Sequence, residues 1–382
     1  MTAGAPRPRR LTLAAIAIAA VPLGGCGSLS DSAQVNSLRA LEQPIAKPAT
    51  LSPPGPRPRC RGEFDSPAAS RLPPAGHMPP GTLMARIHRA GRLRVGVDQN
   101  TLRLGYFNPR ITPPSEAMQG LDIDLAGAVA RAIFGRSWKQ HIVYTAISTA
   151  QRESAVTSGA VDLVASAFSI NCKRKQTMYF SQVYYRAQQK LLVPVDATVD
   201  SLADLRGQRV CATVGSTSID NLYATGVVRH PVALRPDCLV ELQEGRVAAI
   251  SADDSILIGF REQDPQTKIV GGCINIERYG IAINRRHREF VRFVNGVLER
   301  LGADGLERIR HRWLPDLRAP TRGQIARCDR RPMRQRAAVA AALLDEEHRV
   351  MRLRGRWLRG LAAPVSAGLF HCDRDCQREA AR

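Results

Sequence analysis

The 382-residue chain lacks an apolar stretch long enough to cross a membrane. It also has no zinc-finger spacing, no aromatic RNA-binding motif and no basic recognition helix, and lysine is scarce beside arginine. These absences leave the net charge of +21 without a nucleic-acid-binding frame. The positive charge collects at the two ends, chiefly in Arg318 to Arg382, while the middle mixes both signs. No partner nucleic acid, metal or other cofactor is expected. A hydrophobic content of 44% over this length is enough for two ordinary domains.

The amino terminus is organised as an export signal. Arg7, Arg9 and Arg10 precede the apolar run Leu11 to Val21, which closes on Leu23-Gly24-Gly25-Cys26. This resembles a bacterial lipobox, and implies a leader over residues 1–25, acylation of Cys26 and a protein held on the extracytoplasmic face of the cell membrane. Residues 26–80 are rich in proline, serine and alanine, with Pro53-Pro54, Pro73-Pro74 and Pro79-Pro80, and read as a tether. With nine cysteines in an exported chain, disulfides are possible. Cys211 with Cys238 is the pair best suited by a strand and the start of a nearby helix, and Cys172 with Cys273 is a second; buried free thiols remain the alternative. Cys372 and Cys376 are assigned no site.

From Leu93 onward strands and helices alternate, the pattern of an α/β architecture. Leu93 to Val97 is a strand, and Asp122 to Phe134 a helix with an apolar face of Ile123, Leu125, Val129, Ile133 and Phe134. A strand from His141 to Ile147 and a helix from Thr149 to Ser158 follow. Gln188 to Val195 is a strand long enough to cross into a second βα series that starts at Ser201 to Gly207. The chain returns through Tyr279 to Asn284 to two closing helices, near Arg288 to Leu301 and Asp304 to Leu314. The predicted organisation is a first lobe of residues 81–193 and 276–317, a second lobe of residues 194–275, and an arginine-rich tail, 318–382, that builds no domain. Two crossings make a hinge, and a hinge favours capture of a ligand between lobes.

The stretch Asp162 to Arg174 carries the most chemical information. An apolar strand, Leu163-Val164-Ala165, runs into a polar turn that ends on a single arginine. Ligands of α/β sheets bind at the carboxyl ends of strands. Ala167 and Ser169 offer main-chain and hydroxyl groups there, and the planar Arg174 guanidinium matches a carboxylate with two parallel hydrogen bonds.

Together with Leu93-Arg-Val-Gly-Val-Asp98, Gly120-Leu-Asp-Ile-Asp124, Gly215-Ser-Thr-Ser218, Ala252-Asp-Asp254 and the closing Asp304 to Leu314 pattern, this stretch resembles the extracellular solute-binding proteins of polar amino-acid ABC importers (family 3), particularly the actinobacterial glutamate-binding lipoproteins. The resemblance covers roughly Leu83 to Pro315. It implies a two-lobed, type II periplasmic-binding-protein-like fold joined by a two-crossing hinge, and a monomer without catalytic activity. Its ligand would be glutamate or aspartate, or glutamine, and its partner an ABC permease in the membrane.

By the same resemblance Arg174 grips the ligand α-carboxylate beside Ala167 and Ser169. Ser216 and Thr217 reach it from the second lobe, Asp253 receives the ammonium, and Asp254 caps a helix or supports Asp253. Arg152 matches the arginine that acidic-ligand binders set against the distal carboxylate. The chain departs from the pattern at Phe107, where relatives carry an arginine, and at a proline-bearing loop, Pro109 to Met118. Arg103 is the candidate to supply the missing charge, and Tyr106 or Phe107 to cover the ligand stem. Two rival readings share the fold: a periplasmic dehydratase, which would need a general acid in the cleft, with Glu153 and Glu277 the nearest, and a sensory receptor for a membrane signalling partner.

Overall fold

The computed structural model describes residues 58, 60–113, 116–318, 320–326 and 328. The expected leader, the acylated Cys26, most of the tether and most of the tail, including Cys372 and Cys376, lie outside these residues. Among the described residues no helix is long and apolar enough to cross a membrane.

The first sheet is built on β1 (Leu93–Val97), whose Leu93, Val95 and Val97 are fully buried. These apolar residues alternate along the strand and so share one face, while Arg94 and Gly96 lie on the other. The strand pairs in parallel with β5 (Ile142–Ala146) and β6 (Leu163–Val164), Val95 lying opposite both Tyr144 and Leu163. The sheet packs closely at Gly96, where a Cβ would stand 2.8 Å from the end of the Ile147 side chain and 3.0 Å from that of Val164. Two antiparallel strands, β7 (Met178–Phe180) and β13 (Ala282–Asn284), complete the order β5-β1-β6-β13-β7. A small hairpin sheet of β2 (Asn100–Thr101), β3 (Gly105–Phe107) and β4 (Met118–Gln119) rims this lobe.

The second sheet also has five strands, in the order Val228–Val232, Arg209–Thr213, Ala249–Asp253, Tyr185–Pro194 and Thr267–Tyr279. Its parallel part is β9 (Arg209–Thr213), β10 (Val228–Val232) and β11 (Ala249–Asp253). Its antiparallel part is β8 (Tyr185–Pro194) and β12 (Thr267–Tyr279), which pair from Tyr185 opposite Tyr279 to Pro194 opposite Thr267, with an irregularity between Val270 and Asn275. The strand expected to cross between lobes therefore belongs to the second sheet almost entirely. This moves the lobe boundary from residues 193 and 276 to the start of β8 and the end of β12, because the ladder between the two strands continues that far.

Helices follow the apolar spacing. Leu121–Phe134 buries Leu121, Ile123, Leu125, Val129 and Ile133 in the first lobe, as its 3.6-residue period requires. The two predicted closing helices are both present within Arg288–Trp313, separated at Gly302, whose φ of 62° is not helical and would strain a non-glycine residue. The Ser201 to Gly207 segment tightens into a 3₁₀ turn at Leu202–Leu205 instead of an α-helix.

Two sequence expectations are corrected by covalent and polar contacts at the ends of the described chain. Residues 60–80, expected to belong to a free tether, form a strap on the first lobe. Cys60 is bonded to Cys172. Lys175 Nζ donates to the carbonyls of Gly62 (2.8 Å) and Asp65 (2.9 Å), and Asn295 Nδ2 donates to Ser66 Oγ (2.7 Å) and the Pro67 carbonyl (2.6 Å). The expected pairing of Cys172 with Cys273 is replaced: Cys273 is bonded to Cys328, which fastens the beginning of the tail to β12. Both true partners lie in segments without apolar periodicity. Cys211 is bonded to Cys238 across a separation of 27 residues, tying β9 to the helix Arg235–Gln243.

Candidate functional site

The two lobes meet over a cavity of about 30 Å³, lined among others by Arg152, Ala167, Ser169, Ser216, Thr217 and Asp253. That is room for about two waters, so the cleft is closed. Arg174 adjoins the cavity through Ser169, whose carbonyl accepts from its Nη1 at 2.6 Å.

Arg152 opens the helix Arg152–Thr157 but turns inward, and is 2% exposed. Its Nε donates to the Thr149 carbonyl (2.9 Å), Nη1 to those of Ser166 and Ala167 (both 3.1 Å), and Nη2 to that of Gly215 (3.2 Å). Arg174 sends its own Nη2 to the same Gly215 carbonyl at 2.9 Å. Both guanidinia also lie over the Phe168 ring, 4.3 Å and 4.6 Å from its centroid. Two first-lobe arginines thus converge on one carbonyl of the second lobe. Gly215 permits this approach: its φ is 77°, and a Cβ would stand 2.8 Å from Ala150 Cα.

Neither guanidinium has a carboxylate partner among the described residues. Burial, with the charges of Arg174 and Arg235 added, holds the Arg152 pKa well below its ordinary value, and burial lowers that of Arg174. The carboxylates that oppose this lowering, Asp98 and Asp253 for Arg152 and Glu277, Asp220, Glu153 and Asp253 for Arg174, act from a distance rather than through a hydrogen bond to either guanidinium.

The acidic side is on the second lobe. Asp253 closes β11 and is 4% exposed; its Oδ2 accepts from the Tyr279 hydroxyl at 2.5 Å, and its Oδ1 has no partner. Burial, then the neighbouring Glu277 charge, pushes its pKa up to about 8. Asp254 accepts at Oδ1 from the amides of Gln188 (3.1 Å) and Ser255 (2.8 Å), which fixes the start of its helix against β8.

The turn after β6 is held open by the first lobe itself. Ala167 has a φ of 45°, and its amide donates to Asp122 Oδ2 at 2.8 Å, while Asp122 Oδ1 accepts from Tyr184 (2.5 Å). The Ala167 amide is consequently committed. Its carbonyl and the Ser169 hydroxyl, which is 3.4 Å from Thr217 Oγ1 across the cleft, remain at the cavity. Ser216 Oγ accepts from the Ile219 amide and donates to the Thr213 carbonyl, so its side chain caps the helix Thr217–Asn221.

The remaining sequence candidates stand apart. Phe107 is 41% exposed on β3, outside the cavity lining. Arg103 donates to Glu262 Oε2 (2.5 Å) and to the Trp313 carbonyl (3.1 Å), also outside it. Of the two glutamates weighed for an acid role, Glu277 accepts from Asn275 Nδ2 at 2.8 Å and Asn221 Nδ2 at 3.3 Å, and Glu153 accepts from the Thr177 hydroxyl at 2.8 Å; neither is in the cavity lining. Sequence reasoning missed Phe168, Tyr279 and Arg235. Phe168 sits inside the informative turn and could have been weighed as an aromatic between two polar-facing positions; Arg235, a lone basic residue before Pro236, carries no local signal.

No group of three or more His, Cys, Asp or Glu side chains able to hold a metal ion occurs among the described residues. In solved structures the two-lobed arrangement is that of amino-acid-binding proteins. The cysteine-binding protein of Campylobacter jejuni matches over 62% of this chain and 94% of its own, with a TM-score of 0.57 at 20% identity. An ancestral arginine-binding protein bound to glutamine matches over 59% and 98%, with a TM-score of 0.53 at 28% identity. By sequence, the glutamate-binding protein GluB of Corynebacterium glutamicum is 31% identical over 56% of this chain and 75% of its own length. The glutamine-binding protein GlnH of Bacillus subtilis is 26% identical over 61% and 85%. Residues 93–316 match the bacterial extracellular solute-binding proteins, family 3, and the chain belongs to that family.

Proposed function

We propose that the protein is the substrate-binding component of an ABC importer, a monomer anchored through acylated Cys26 on the outer face of the cell membrane, that captures glutamate or aspartate and delivers it to a permease. The observation that carries the ligand class is the pair of buried guanidinia, Arg152 and Arg174, whose hydrogen-bond partners are carbonyl oxygens. A dicarboxylic amino acid supplies two anions to two such groups. A neutral side chain leaves one dry cation without a counter-charge, which costs more than a lost neutral hydrogen bond.

In this reading Arg174, with Ser169 and Thr217 beside it, takes the α-carboxylate; Arg152 takes the distal carboxylate; and the open Oδ1 of Asp253 takes the ammonium. The ligand displaces the Gly215 carbonyl contacts as the lobes part and close again. Binding is non-covalent and the protein catalyses nothing. The test is calorimetry on two variants. Arg174→Ala abolishes binding of every amino acid, while Arg152→Gln weakens glutamate and aspartate and spares glutamine. Equal losses for glutamate and glutamine in Arg152→Gln contradict the assignment of the side-chain pocket.

A further inference from the structure

A third buried arginine enters the same cavity from the opposite lobe. Arg235 begins the helix Arg235–Gln243 of the second lobe, is 5% exposed, and is held near β9 by the Cys211–Cys238 bond one turn on. Its Nη1 donates to Asp98 Oδ2 and to Thr101 Oγ1, both at 2.9 Å. Asp98 follows β1 and Thr101 lies in β2, so both acceptors belong to the first lobe. The Arg235 Nη2 reaches the Ser166 carbonyl at 3.4 Å, the carbonyl that also accepts from Arg152.

This ion pair differs from a second ion pair across the lobes among the described residues. Arg103 and Glu262 have side chains 24% and 47% exposed, and such a pair is weak in water. The Arg235 and Asp98 side chains are 5% and 8% exposed. Two charges this dry are costly to bury and costly to leave single, so the pair is neutral or modest in net stability while either partner alone is strongly unfavourable. Its two halves ride on lobes joined by two strand crossings. Separation of the lobes rehydrates both groups at once, and closure brings them together only in one relative orientation.

We propose that Arg235 is a positioning residue for ligand capture, fixing the closed orientation of the lobes through Asp98 and Thr101 and thereby prolonging the bound state. The pair contributes to closure and not to the first encounter, so its loss acts on dissociation. The effect on ligand dissociation rests on the amino-acid-binding reading; the effect on lobe closure does not.

The experiment combines small-angle scattering and stopped-flow binding of glutamate on the full mature protein, with Arg235→Gln, Arg235→Lys, Asp98→Asn and the double variant Asp98→Asn/Arg235→Gln. Without ligand, each single variant is expected to have a larger radius of gyration than the parent. With glutamate, dissociation accelerates about tenfold, a typical coupling for contacting buried partners, while the association rate stays within about a factor of two. The double variant is expected to lose no more than the worse single variant. Arg235→Lys keeps the charge but not the two-point geometry and falls between. Unchanged scattering in every folded variant, or losses that add in the double variant, overturns the proposal. If the parent binds no amino acid, the functional reading fails while the ligand-free scattering series still decides the role of Arg235.

Discussion

At the residue scale, the site is governed by the cost of dry charge. Arg174 stands out in the sequence because it ends the polar turn that follows the apolar strand at Leu163–Val164, and strand ends are where such folds put ligands, whereas Asp253 was named only through the family resemblance. What sequence could not supply is the commitment of donors. The Ala167 amide is spent on Asp122, the Ser216 hydroxyl caps a helix, and Arg235 is drawn in by Asp98, a partner 137 residues away. Replacing Arg174 by alanine removes charge-assisted bonds worth about 1.5–3 kcal/mol each, so amino-acid affinity in calorimetry should fall by at least about 100-fold.

Asp253 gives a pH prediction with a definite sign. Its pKa, near 8 in the folded protein, lies above that of an aspartate in an unfolded chain, so between about pH 4 and pH 8 the folded state holds a proton that the unfolded state has released. Asp253 therefore lowers stability progressively as pH rises through that window. Asp253→Asn should melt at a higher temperature than the parent at pH 8 and at nearly the same temperature at pH 4, as followed by ligand-free thermal unfolding. The same proton must leave before the carboxylate can receive an ammonium, so affinity of the parent should rise from pH 6 to pH 9. A flat profile contradicts that role.

At the element scale, segments with a clear period were legible and those without were not. Leu93 to Val97 and the helix at Leu121–Phe134 follow from apolar runs of the right length. The strap at residues 60–80 has proline and serine spacing indistinguishable from a linker, and its place depends on Cys60, Lys175 and Asn295. The strap is bolted to the turn that carries Arg174, since Cys172 lies two residues before it and Lys175 one after. Cys60→Ser/Cys172→Ser should loosen that turn and lower glutamate affinity several-fold, with surface plasmon resonance as the readout. Cys211→Ser/Cys238→Ser removes a 27-residue cross-link instead and should cost about 3–4 kcal/mol in denaturant unfolding.

At the scale of the whole molecule, the alternation of strands and helices gave two lobes, but the long strand between them misled the boundary. β8 and β12 form one continuous antiparallel ribbon in the second sheet, so the crossings lie at its end, beside Tyr184 and Gly280. The central cavity holds about two waters, and a ligand the size of glutamate enters only when the lobes part about these crossings. Small-angle scattering of the parent should accordingly report a ligand-free mixture of closed and parted lobes that contracts on adding ligand.

The measurement that bears most directly on the central claim is calorimetric titration of the protein with glutamate, aspartate and glutamine in turn. Tight binding of one or both dicarboxylates, with glutamine at least about tenfold weaker, is the predicted result, since one unpaired buried charge is worth more than 1.4 kcal/mol. Glutamine binding as tightly as glutamate, or no binding of any of the three, contradicts the assignment of Arg152 and Arg174 to two ligand carboxylates.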